Sequence, residues 1–246
     1  MRETKAFTLA EVLITIGIIG VVASITIPTM LMRFQKTSYV SGIKKAYAQV
    51  GVIIKKLSAE YGCIGNFACT GFFDYGSGSQ LEFGEQFAKY FKITKNCLTS
   101  TTEKCWPDST LYYYEGSNTS SVNMNEEPGY KFISIDGMSF SLNNISVASS
   151  ANSRCGHSEG SGEGNMKKVC AILTIDTNGF RGPNRFGRDT FQFWLTDGHG
   201  PVIYPVGGDE DSPIWSNSTN GCGIDASKYG LLCAGRVLEE GWAMNY

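Results

Sequence analysis

From Val12 to Met32 the chain runs for 21 residues without a formal charge, and between Lys5 and Arg33 the only charged side chain is Glu11. As a helix that run spans about 32 Å at 1.5 Å per residue, enough to cross a bilayer. After Arg33 the pattern changes. Val40, Ile43, Tyr47, Val50, Ile54, Leu57 and Tyr61 recur every three or four positions, while Lys44, Lys45, Lys55, Lys56 and Glu60 fall largely elsewhere. This spacing predicts an amphipathic continuation of the same helix, with one face laid against something. A free coiled coil would show similar spacing. The run is short, however, and Gly62 and a cysteine-bearing segment follow at once, which favours a helix resting on its own globular domain. From residue 7 to 61 the whole helix would be about 80 Å long.

Beyond residue 62 the pattern becomes that of a sheet. Ser79 and Glu82 match a capping box for a short helix over 79–91, on which Leu81, Phe87, Tyr90 and Phe91 share a face, placed at a sheet edge. Strands are predicted over 130–135, 138–142, 169–175, 190–195 and 202–206. Asp136-Gly137 suits a tight hairpin turn with positive φ, and Asp197-Gly198-His199-Gly200 joins the last two strands. Ser/Gly/Asn tracts at 76–79, 143–153 and 158–164 read as exposed loops. One long helix ahead of an antiparallel sheet is an α+β architecture.

Glu11 needs an explanation, because a carboxylate at the edge of an apolar helix costs free energy and such residues usually mark function. Its surroundings are Met-Arg-Glu-Thr-Lys-Ala, then Phe7-Thr8-Leu9-Ala10-Glu11-Val12-Leu13-Ile14. This stretch resembles the leader and cleavage/methylation motif of type IV pilins and of the pseudopilins of type II secretion. The resemblance covers about the first thirty residues. It implies a pilin-like fold and a leader, residues 1–6, removed by a prepilin peptidase between Ala6 and Phe7, where the family usually has Gly before the cut. It also implies methylation of the new Phe7 amine and pairing of Glu11 with a neighbouring subunit's N-terminus. A Pro inside the helix, here Pro28, recurs in such pilins and should bend it. The segments that follow are a membrane and assembly helix over 7–32, its amphipathic continuation over 33–61, and a globular domain over 62–246. The implied partners are prepilin peptidase, copies of the chain and other pilins or pseudopilins in a helical filament, the inner membrane and an assembly platform.

Charge and cysteine content agree with an exported structural subunit. Net charge is -2 and the pI about 5.8, so the chain lacks the basic excess of a nucleic-acid binder. With two His in 246 residues it is poorly stocked with general bases, and no enzymatic activity is expected. Arg2 and Lys5 outweigh Glu3, which places the N-terminus in the cytoplasm and the body across the inner membrane, in the periplasm, before assembly into a periplasmic or extracellular filament. All eight cysteines, Cys63, Cys69, Cys97, Cys105, Cys155, Cys170, Cys222 and Cys233, lie beyond the apolar run, as disulfides in an oxidising compartment would. Their closeness in sequence suggests sequential pairing, one of 105 connectivities. With no C-x-x-C, and His157 beside Cys155 the only Cys/His closeness, zinc has little support.

Two further patterns have the residue types for chemistry. Gly156-His157-Ser158-Glu159-Gly160 matches G-x-S-x-G, but no strand precedes it and no helix follows, so the match is accidental. Asp176, Asn178, Asn184 and Asp189 set oxygen ligands around glycines in the most patterned loop of the body. Such a set suits structural Ca²⁺, though it is not an EF-hand, and major pseudopilins hold calcium in a comparable loop. An Asx-rich turn closed by an Arg188–carboxylate contact explains the same residues. The function expected from the whole is a filament subunit, either major pilin, minor pilin or pseudopilin. The alternative is a signal-anchored exported enzyme or binding domain that does not polymerise.

Overall fold

The structure, a computed structural model, describes residues 8–72, 80–111, 121–144, 169–196, 203–208, 221–223 and 229–246. It divides into two compact units, the first ending at Ser38 and the second running Tyr39–Tyr246. Helix α1 (Leu9–Glu60) continues unbroken through Pro28 and across that boundary. Proline removes one helix donor, but here the ladder on either side carries the helix past it.

The second unit is a six-stranded antiparallel sheet with helices packed on it. Its strands are β1 (Ile93–Leu98), β4 (Tyr130–Ser134), β5 (Ser139–Asn144), β6 (Val169–Asp176), β7 (Thr190–Thr196) and β8 (Ile203–Pro205), in that spatial order. Two short strands, β2 (Thr110–Leu111) and β3 (Ser121–Val122), pair separately. The five strands expected from sequence are all present within a residue or two at their ends. The edge strand β1 is not evident in the sequence, because Ile-Thr-Lys-Asn-Cys-Leu alternates weakly and buries only one of its six residues. The β4–β5 turn is the expected hairpin, but only Gly137 takes positive φ (79°), with the Gly137 N–H donating to Ser134 O at 2.9 Å. This is the three-residue loop in which a type I turn ends on a left-handed glycine.

Period-2 alternation aims Phe132, Phe140, Leu142, Leu173, Ile175, Phe191, Phe193 and Leu195 at one face. Onto that face the body's part of α1 lays Val40, Ile43, Ala46, Val50, Ile53, Ile54 and Leu57 in one continuous core. The predicted stripe is therefore correct over most of its length. Ala46 and Ile53 join it, Tyr47 is half-buried against Phe193 and Trp242, and Tyr61 is exposed with its ring edge-on to Phe72. Tyr61 lies one residue past the end of α1, in the turn before Cys63, and so leaves the seam that Leu57 closes. Helix α2 (Gln80–Ala88) falls within the predicted 79–91. It packs over the β1–β4–β5 face rather than an edge, since β1 extends the sheet beneath it, and Phe87 and Phe91 meet Phe132 and Phe140. Gly84 sits so close to Tyr130 that a Cβ there would overlap the ring.

A smaller cluster of Cys97, Cys105, Trp106, Met124 and Phe186 is separate from the helix-side core. Its backbone groups are served by Asn125. The Asn125 Oδ1 accepts from the N–H of Cys105 (3.1 Å) and Trp106 (3.0 Å), and its Nδ2 donates to Trp106 O at 2.9 Å. Buried Lys131 donates to Asn125 O at 2.9 Å, and desolvation pushes its pKa down. Three disulfides are present as sequential pairs, Cys63–Cys69, Cys97–Cys105 and Cys222–Cys233. Cys170 is also disulfide-bonded. Cys155 lies outside the described residues, as do the G-x-S-x-G at 156–160, His199, Ser79 and the loops over 145–168. A short helix α3 (Cys233–Glu239), not foreseen from sequence, packs on β7 and β8, with the Gly235 N–H donating to Val206 O at 2.9 Å.

Candidate functional site

The first unit is a helix with an apolar surface on all sides. From Leu9 to Phe34 its large side chains are exposed, among them Leu13, Ile16, Ile19, Val22, Ile25, Met30 and Phe34. Its most apolar 18-residue window has a mean hydropathy of 2.2, so by length and composition it is able to cross a membrane. An exposed surface of this size has to be covered by lipid or by protein.

Glu11 stands at the first turn of this helix. Its Oε2 accepts from both the N–H and the hydroxyl of Thr8, each at 2.8 Å, while the Glu11 N–H donates to the Thr8 hydroxyl at 3.3 Å. This is a capping box, and its signature, Thr8-x-x-Glu11 ahead of an apolar run, is legible in the sequence. The carboxylate thus has a local partner within its own chain. Ala6 and Phe7, the residues of the expected cut, lie outside the described residues. Pro28 is in place inside α1.

The loop over 176–190 links the four predicted ligands through main-chain N–H groups of Asn178 and Asn184 bonded to the carboxylates, with Asp176 and Asp189 fully buried. Asp176 Oδ1 accepts from the N–H of Asn178 (3.0 Å) and Gly179 (2.8 Å), and Oδ2 from the Thr190 hydroxyl (3.2 Å). Asp189 accepts from the N–H of Asn184 (2.8 Å) and Arg185 (2.7 Å). Main-chain donors therefore close this loop, as in the Asx-rich turn that the side-chain pattern allows. Burial, and then the charge of Asp189, push the Asp176 carboxyl up to about 8; burial raises Asp189 as well. The Asn178 side-chain oxygen is buried without a hydrogen-bond donor. Two buried carboxylates beside an orphaned amide oxygen suit a hard cation, and oxygen-only donors suit Ca²⁺ better than a transition metal. No group of three or more His, Cys, Asp or Glu able to hold a metal occurs among the described residues.

A cavity of about 220 Å³ lies on the sheet face away from α1, lined by Ser141, Ile172, Thr174 and Gln192 with Met124 and Glu127 above them. Gln192 Nε2 donates to Thr174 Oγ1 at 3.2 Å across its floor.

Fold and site together define a disulfide-braced α+β body carried on an apolar N-terminal helix able to anchor it in a membrane or to direct its export. Comparison with models of protein families, with curated proteins and with solved structures found no match.

Proposed function

We propose that the chain is a structural subunit of a type IV pilus or a type II secretion pseudopilus. In this reading it is made as a prepilin, cut between Ala6 and Phe7 by a prepilin peptidase, held in the inner membrane with its body periplasmic, and assembled through its N-terminal helix. One observation carries this reading: a charge-free, fully exposed helical surface with a single carboxylate at its N-terminal edge, directly behind Phe7-Thr8-Leu9-Ala10. In a membrane or a filament interior a lone carboxylate is unfavourable, whereas one facing a terminal ammonium is a charge pair that strengthens as the dielectric falls. Glu11 then sets the register between subunits while Thr8 holds its orientation. The body's role is mechanical and adhesive. Asp176, Asn178, Asn184 and Asp189 would hold a Ca²⁺, whose contribution is to neutralise two buried carboxylates and stiffen the loop.

The capping box favours a second reading, because it accounts for Glu11 without any partner subunit. In that reading the chain is a signal-anchored exported domain that does not polymerise. Intact mass and N-terminal sequencing of protein from its native membrane separate the two. A methylated Phe7 start supports the filament subunit, whereas an unprocessed Met1 start or a cut beyond Ala23 refutes it.

A further inference from the structure

We propose that the cavity on the sheet face away from α1 is a binding site for one neutral sugar ring of a glycan. It gives the adhesive part of the reading above a ligand class. The inference stands on the body alone, and it holds or fails whether or not the chain polymerises.

The floor of the cavity is a row of neutral polar side chains set by sheet register. Ser141 on β5 pairs with Thr174 on β6, and Thr174 pairs with Gln192 on β7, so all three share one face at the roughly 4.8 Å spacing of neighbouring strands. Ser141 and Thr174 are only 2% and 3% exposed, yet both line the cavity. Their hydrogen-bonding capacity is not used up within the body. The Thr174 hydroxyl accepts from Gln192 Nε2, which leaves its own hydrogen and Gln192 Oε1 for a ligand. The Ser141 hydroxyl has no partner among the described residues. Gly129 keeps that serine open, because a Cβ there would stand 2.8 Å from Ser141 Oγ. Hydroxyls and a primary amide both donate and accept, as the hydroxyls of a sugar require.

Walls and charge select the ligand. The walls add the apolar side chains of Met124, Phe186 and Leu231. A matching ligand carries several hydroxyls and an apolar face of its own, which describes a pyranose, with hydroxyls around its edge and C–H groups on its faces. A wholly apolar ligand would strand the polar floor without partners. An anion finds no cation, since Glu127 is the only charged side chain among the described residues lining the cavity. Lys131, next to Ser141 in the same row, is not among them, and it donates to the main-chain oxygens of Asn125 and Ser100. A cation would be held by Glu127 alone, an exposed carboxylate whose charge already acts on Lys131, and exposed ion pairs contribute little. At about 220 Å³ the cavity falls below the range of about 300–1,000 Å³ for drug-sized ligands, so it holds a single ring and the rest of a glycan stays outside.

The test is methyl NMR of the full chain, labelled at methionine and held in phosphatidylcholine nanodiscs so that no glycosidic detergent competes. The probes are the methyl glycosides of glucose, galactose, mannose and N-acetylglucosamine, with N-acetylneuraminic acid as an anion and choline as a cation. The Met124 signal is identified by its loss in Met124→Leu. At millimolar concentration at least one neutral glycoside should shift the Met124 methyl and leave in place that of Met244, which belongs to the helix-side core. Ser141→Ala deletes a hydroxyl the fold does not use, and Thr174→Val keeps the shape of the side chain; an unmoved Met244 signal reports that each variant is folded. Either variant should weaken the glycoside about two- to tenfold, the contribution of one hydrogen bond. The proposal is overturned by a Met124 methyl indifferent to every glycoside, by one moved by N-acetylneuraminic acid or choline in preference to them, or by an affinity unchanged in both variants. None of these outcomes bears on processing at Phe7, which N-terminal sequencing reads separately.

Discussion

Asp176→Asn changes one oxygen to an amide nitrogen and removes a buried ionisable group, and the loop geometry gives it an unusual sign. In the folded chain the Asp176 carboxyl is pushed up to about 8 from an ordinary 3.8, by burial first and by Asp189 second. A carboxyl whose folded pKa is raised binds its proton more tightly in the native state. Its stabilising contribution is complete below the unfolded value and is lost as pH rises towards the folded one. One proton of difference corresponds to a slope of about 1.4 kcal/mol per pH unit. Over the three pH units below 8 the loss approaches about 4 kcal/mol, a large share of a typical net stability of about 5–15 kcal/mol. Asparagine keeps an acceptor for the Asn178 and Gly179 N–H groups and has nothing to ionise. Urea unfolding of the chain with its disulfides intact, in chelator and from about pH 5 to 8, should show wild type weakening more steeply than Asp176→Asn, whose remaining slope comes from Asp189. Added Ca²⁺ should restore wild type at the alkaline end, because a ligand bound only to the folded state stabilises it, and should not help the variant. Equal slopes in wild type and variant would refute the reasoning from buried carboxylates.

At the other end of the chain, Glu11→Gln keeps an acceptor for the Thr8 cap and removes the charge, whereas Glu11→Val removes both. If the charge serves assembly, both variants should insert in the membrane and both should fail to form filaments, measured as sheared filament yield; normal yield from Glu11→Gln would assign the residue to capping alone. Gly84→Ala should destabilise the body by about 1–3 kcal/mol or more, because its Cβ meets the Tyr130 ring, and chemical denaturation should show a lowered midpoint at unchanged slope. Replacing Cys97 and Cys105 together by Ser should cost about 2–4 kcal/mol and loosen the Trp106 cluster, readable as increased hydrogen exchange at the Cys105 and Trp106 amides.

Much of this molecule is visible in local pattern, because local pattern is what decides it. A charge-free run of 21 residues, a three-and-four stripe from Val40 to Leu57 and period-2 alternation in five strands each report a neighbour of fixed geometry: solvent or lipid, a flat face, a core. The sequential disulfides Cys63–Cys69, Cys97–Cys105 and Cys222–Cys233 belong to the same class, since short loops bring their ends together at little entropic cost. The Thr8–Glu11 capping box is equally legible, as Thr-x-x-Glu ahead of an apolar run. Other features required tertiary structure. Strand β1 is a strand because β4 offers it an edge, and α2 covers a face because that strand widens the sheet beneath it. An Asx-rich turn over Asp176–Asp189 is legible in sequence, but which main-chain N–H groups close each carboxylate depends on φ and ψ along the loop. The raised carboxyl pKa follows from depth of burial, a property of the packed body rather than of its residues in order. Ser141, Thr174 and Gln192 are ordinary strand residues in sequence. They form one row only because three strands separated along the chain pair in one register.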